Sequence, residues 1–120
     1  RKRSIITFAS GAKDLDRRLV LDLFHDLANQ VVNSTRKLGC TALDLAYVAR
    51  GGIEATIQLG FSTYDFAAGT LLVQEARGTI TKFDGSLWKF PENYFIASNG
   101  VFHDLLVEEV KKQKAKLNMN

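Results

Sequence analysis

Two hydrophobic periods alternate along the chain. Ile5-Ile6-Thr7-Phe8 is a short apolar run closed by Ser10-Gly11, and it predicts a buried strand. From Asp14 the period lengthens: Leu15, Leu19, Leu23 and Leu27, with Val20 and Phe24, fall at three- and four-residue spacing. That spacing predicts an amphipathic helix over 14–29 with Asp14 as its cap. Val31-Val32 starts a second strand, running to about Arg36. After Gly39 comes a small-residue helix that ends at Arg50-Gly51-Gly52, where glycine supplies the stop. Residues 53–59 return to period two, with Ile53, Ala55, Ile57 and Leu59 on one face of a strand.

Ser62 or Thr63 caps the next helix, which runs to Arg77 with Gly78 as its stop. Inside it, Ala67-Ala68-Gly69 is nearly bare of side chain and invites close approach by another backbone or a ligand. Residues 79–83 and 86–90 flank Asp84-Gly85, a strong hairpin signal. Pro91-Glu92-Asn93 interrupts the pattern, and 94–97 form the last strand. Ser98 or Asn99 caps a final helix to about Lys116, with Val101, Leu105, Leu106 and Val110 on its inner face. Strands alternating with helices predict a single α/β domain over 1–120. Its sheet is mainly parallel or mixed, with helices on both faces.

Composition narrows the function. At 120 residues and 46% hydrophobic content, one domain can bury a substantial core. The single cysteine, Cys40, cannot form an internal disulfide, which fits a reducing cytoplasm. No apolar stretch approaches the ~18 residues that cross a bilayer, so no membrane partner is expected. The net charge of +3 is carried by the ends: Arg1, Lys2 and Arg3 at one, Lys111, Lys112, Lys114 and Lys116 at the other. The body between them is net acidic, which argues against a nucleic-acid groove. His25 and His103 each stand apart from other histidines and read as helix-surface or hydrogen-bonded residues rather than ligands.

The stretch over 39–78 carries a more specific signal. It contains Gly39-Cys40-Thr41-Ala42-Leu43-Asp44-Leu45, then Val48-Ala49-Arg50-Gly51, Tyr64-Asp65-Phe66-Ala67-Ala68-Gly69 and Glu75-Ala76-Arg77-Gly78. Phe83-Asp84-Gly85 and Ile96-Ala97-Ser98-Asn99-Gly100 follow in order. Over about residues 36–100 this resembles the C-terminal signature of the inositol monophosphatase family of Mg²⁺-dependent phosphomonoesterases. The resemblance implies the C-terminal domain of that family's layered α/β/α/β/α sandwich. It also implies a small-molecule phosphate monoester as substrate and, for a full-length enzyme, a homodimer. The family's Asp-Pro-Ile-Asp-Gly-Thr metal motif, and the Glu-Glu pair that precedes it, are absent from this sequence. The expectation is therefore a chain lacking its N-terminal catalytic half and inactive alone.

Within that resemblance Asp65 is the implied Mg²⁺ ligand, since a hard cation takes carboxylate oxygen. Position alone would make it a helix cap paired with Ser62. Gly39, Cys40 and Thr41 open a helix whose free amides can meet a substrate, and the resemblance implies contact there with ring hydroxyls. Gln58 stands where inositol-specific members carry a glutamate that grips those hydroxyls. Hydrogen bonds to charged groups are worth roughly 1.5–3 kcal/mol against about 1 for neutral ones. Losing the charge thus costs on the order of tenfold toward inositol phosphate and shifts the expectation to other sugar or polyol phosphates. Tyr64, in place of the usual tryptophan, reads as packing. Asp44, Glu54, Glu75 and Asp84 read as solvated or structural. Rival expectations are a fructose-bisphosphatase or phosphoadenosine-phosphate phosphatase of the same superfamily, or a non-catalytic binding or assembly module.

Overall fold

In the computed structural model of the chain, residues 5–10, 13–30, 34–36, 39–60 and 63–116 are described. Their elements run β1 Ile5–Ser10, α1 Asp14–Gln30, β2 Ser34–Arg36, α2 Thr41–Arg50, β3 Ala55–Leu59, α3 Thr63–Glu75, β4 Thr79–Thr81, β5 Tyr94–Ser98 and α4 His103–Lys116. One sheet orders its strands β2-β1-β3-β5-β4. β1 pairs in parallel with β2 and with β3, in a register that sets Ile6 beside Ala55 and Phe8 beside Ile57. β5 runs antiparallel to both β3 and β4. The mixed sheet has helices on both faces, the α/β architecture that the alternating periods predict.

Side-chain alternation along each strand divides the interior in two. Ile6, Phe8, Ala55, Ile57 and Ile96 face one side, where Leu19, Val20 and Leu23 of α1 meet Leu106, Val107 and Val110 of α4. The opposite side packs Phe95 and Ala97 of β5 against Leu45 and Val48 of α2 and Phe66 and Val73 of α3. Each fully buried large apolar side chain contributes on the order of 1.5–3 kcal/mol. The strands of the middle of the sheet are buried on both faces, which is why β3 shows no exposed position at all.

Several boundaries differ from the periodicity. Gly51 ends α2 in the left-handed region (φ 86°), and the amides of Gly52 and Ile53 bond back to the Tyr47 carbonyl. That turn delays the start of β3 to Ala55, although Ile53 is still buried. α3 ends two residues before Arg77, and Arg77 rather than Gly78 holds the left-handed position (φ 63°). Gly78 is needed for space instead: a Cβ there would lie 2.6 Å from Val73 Cγ1 and 2.8 Å from the Ser98 carbonyl.

The hairpin after Asp84-Gly85 is reduced to one bridge, Thr81 to Leu87. Trp88 leaves the strand direction to pack on Phe66 and Phe95, and β4 pairs with β5 instead. α4 begins at His103, because Ser98 belongs to β5 and Asn99 Oδ1 accepts from the Val101 amide in a turn closed at Gly100. Val101 is therefore exposed rather than on the inner face, and Leu15 lies outside the α1 core face, 49% exposed. The start of the second strand at Val31-Val32 and the Ser62 cap fall outside the described residues.

Candidate functional site

Parallel pairing fixes where chemistry can gather. β2 and β3 both run parallel to β1, so their carboxyl ends lie at the same end of the sheet. β2 leads into α2 and β3 into α3, and both helices cover the same face. The N-termini of α2 and α3 therefore arrive together above those carboxyl ends, where open α/β sheets place ligands. α1, which follows β1, crosses to the other face. Close packing of the two helices depends on Gly69: a Cβ there would lie 2.6 Å from Leu45 Cβ. The bare stretch predicted for α3 thus admits a neighbouring helix.

At the start of α2, Gly39 adopts φ 78° and Cys40 is extended at the N-cap with no side-chain cap bond. Both are exposed, and the Cys40 thiol is free. Asp65 lies exposed in the first turn of α3. Tyr64 beside it is 97% exposed, so it does not pack on this chain as expected.

Thr41 and Gln58 are buried and joined. Thr41 Oγ1 donates to Gln58 Oε1 (2.8 Å), and the Gln58 amide nitrogen donates to Asp44 Oδ2 (3.0 Å) and Thr56 Oγ1 (2.6 Å). The Thr56 and Thr7 hydroxyls share a further bond of 2.7 Å. Gln58 is 1% exposed, so both ends of its amide are engaged inside the chain.

Asp44 corrects the expectation of a solvated carboxylate: it is fully buried under α2. Burial pushes its carboxyl up to about 6, opposed by hydrogen bonds from Gln58 and then Thr7. Its Oδ1 has no bond of good geometry, although the Thr7 hydroxyl lies close enough to act on the carboxyl. The signal for this network was present in the sequence. Thr7, Thr56 and Gln58 are the polar residues that alternate with Ile6, Phe8, Ile57 and Leu59 in buried strands.

Among the described residues no group of three or more His, Cys, Asp or Glu side chains is arranged to hold a metal ion. Asp65 suits a hard divalent cation as one oxygen donor, and a Mg²⁺ site needs several.

The model of the Inositol monophosphatase family matches residues 3–115. The chain belongs to that family. An "Inositol-1-monophosphatase" of Mesorhizobium japonicum is 41% identical over 81 residues, 68% of this chain and 30% of the relative. The "Nus factor SuhB" of Pseudomonas aeruginosa is 42% identical over 79 residues, 66% of this chain and 29% of the relative. The solved inositol monophosphatase of Anabaena (Nostoc) sp. superposes with a TM-score of 0.77 at 31% identity, across 92% of this chain and 44% of that one. The chain thus spans about a third of the length of these curated relatives and under half of the solved structure. No helix among the described residues is long and apolar enough to cross a membrane.

Proposed function

We propose that this chain is the C-terminal domain of a Mg²⁺-dependent phosphatase acting on inositol phosphate or a related sugar or polyol phosphate monoester. One observation carries the reading: the family's motifs fall at the N-termini of α2 and α3, above the carboxyl ends of β2 and β3. Asp65 supplies one oxygen to the metal, whose chemistry is the activation of water and the screening of phosphate charge. Gly39, Cys40 and Thr41 line the polyol side of the pocket, with Gln58 behind them. The remaining metal ligands and the residues that orient the water come from an N-terminal half. The assembled enzyme is a cytoplasmic homodimer, and this chain alone is inactive.

The test joins the chain to the N-terminal part of a relative such as the Mesorhizobium japonicum protein and measures phosphate release. The chimera should turn over with Mg²⁺, the isolated 120-residue chain should not, and Asp65→Asn in the chimera should lower kcat by orders of magnitude without unfolding. Turnover by the isolated chain, or full activity of the Asp65→Asn chimera, would overturn the reading.

A further inference from the structure

The segment that carries Asp65 starts on one left-handed residue. Gly60 follows β3 with φ 82°, and its amide donates to the Asn93 carbonyl (2.8 Å). Asp16 and Tyr94 close on its Cα from the α1 side. A Cβ on Gly60 would lie 3.1 Å from Asp16 Oδ2 and 3.3 Å from the Tyr94 hydroxyl. Those two groups are themselves joined, the tyrosine donating to the carboxylate at 2.6 Å. Asp16 is 3% exposed, and nothing in the proposed chemistry uses it. Burial first, then Asp16, push the Tyr94 hydroxyl up to about 12, so it stays a donor at neutral pH.

The loop that delivers Tyr94 lies at the same end of the sheet. β3 and β4 both run antiparallel to β5, so residues 82–93 sit beside the N-terminus of α3. This loop meets the Asp65 segment twice. Asn93 holds Gly60 at one end. At the other, the Phe90 ring packs edge-on against Phe66, the residue after Asp65, with centroids 6.0 Å apart. The loop is also tied within itself: Trp88 Nε1 donates to the Glu92 carbonyl (2.7 Å), and Lys82 pairs with the Glu92 carboxylate (3.2 Å).

The first four amides of a helix have no intrahelical partner, so the turn bearing Asp65 takes its placement from outside groups as well. We propose that Asp16, Tyr94 and Phe90 are positioning residues for Asp65. The 82–93 loop braces the chain from Gly60 to Phe66, and Asp16 anchors that brace from the opposite face of the sheet. The brace is a property of the fold, whereas its effect on a metal rests on the phosphatase reading.

Amide NMR spectra of the chain and Mg²⁺ titration of the chimera test the brace, with Gln113→Ala as the control. Tyr94→Phe and Gln113→Ala each remove a donor from one α1 carboxylate, Asp16 and Asp26 respectively. Tyr94→Phe and, separately, Phe90→Ala should shift the amide signals of Thr63, Tyr64 and Asp65 beyond any change in Gln113→Ala. In the chimera, both should raise the Mg²⁺ concentration for half-maximal activity about three- to tenfold, since groups that orient a metal ligand tune its affinity. Tyr94→Phe should leave the substrate KM at saturating Mg²⁺ as it was. Should Tyr94→Phe not fold, Phe90→Ala still carries the spectral and Mg²⁺ readouts. Signals of Thr63 to Asp65 that stay in place would overturn the proposal. So would a Mg²⁺ half-saturation that does not move in an active chimera, or that rises equally in Gln113→Ala. A chimera without turnover, with the amide shifts present, would count against the phosphatase reading alone.

Discussion

The two faces of the sheet are covered by different chemistry. Under α1 and α4 the central strands present Ile6, Phe8, Ile57, Leu59 and Ile96, and the polar ties sit toward the ends of the helices. Tyr94 donates to Asp16 (2.6 Å), Gln113 bonds Asp26, and His103 bridges Ser98 and Thr81. Under α2 the same strands present Thr7, Thr56 and Gln58, and a carboxylate lies on top of them. The apolar contacts of the first face do not titrate, so near neutral pH its response comes through His103 alone among the groups just named with a shifted pKa. The second face adds a buried carboxylate, Asp44, to its apolar packing, and it is the face on which the candidate site lies.

The largest effect should come from the apolar side. Phe8→Ala removes a fully buried ring and should cost about 3–5 kcal/mol in denaturant unfolding, equally from about pH 5 to 8. A marked pH dependence of that cost would show that the two faces are coupled rather than separate.

Asp44→Asn should act in the opposite direction. Its carboxyl ionises near 3.8 when unfolded and near 6 when folded. The folded chain therefore keeps the proton across that window, and its contribution to stability is lost as pH rises from about 4 to 6. The shift corresponds to at most about 3 kcal/mol, so the variant should be about 1–3 kcal/mol more stable than wild type near pH 8. It should lose that part of the pH slope, and a destabilised variant at pH 8 would mean that the charge holds the face together.

Much of the first face was legible because apolar periodicity reports burial directly: Leu19, Leu23, Ile6 and Phe8 are core by pattern and by structure. The second face was harder to read. Asp44 lies on the same helical stripe as Thr41, Leu45 and Val48, so its charge rather than its position suggested solvent, and the strand polarities at Thr7, Thr56 and Gln58 mark its buried partners. The motifs located α2 and α3, whereas the convergence of their N-termini needed the parallel register of β2 and β3 about β1. Tertiary pairing also decided the hairpin, since Trp88 found its aromatic neighbours across the sheet rather than along a strand.

A smaller effect separates the faces at low pH. Burial holds the His103 imidazole below its ordinary value of 6.5, partly offset by Asp104. The unfolded chain then binds a proton that the folded one refuses, so this contribution is present above about pH 6.5 and lost as pH falls. Its slope is opposite to that of Asp44. Ser98→Ala, which strips one partner from the ring, should cost about 1–3 kcal/mol at neutral pH, and His103→Gln should flatten the acid limb. Unchanged acid limbs in His103→Gln, followed by circular dichroism, would remove the histidine from the account.

The smallest change belongs to neither face. Arg77→Gly relieves a left-handed residue at the end of α3 and should gain about 0.5–1 kcal/mol, a rise of a few degrees in Tm by calorimetry. Loss of stability there would mean that the Arg77 side chain contributes more than its backbone strain costs.

The chain's only sulfhydryl, Cys40, is exposed at the N-cap of α2, beside Thr41. A maleimide or mixed-disulfide reagent therefore attaches at one place, and that place is the mouth of the proposed pocket. The rate of alkylation becomes a gauge of occupancy: whatever settles on α2 shields the sulfur, and a dye carried there reports its arrival by colour, without any reaction being catalysed.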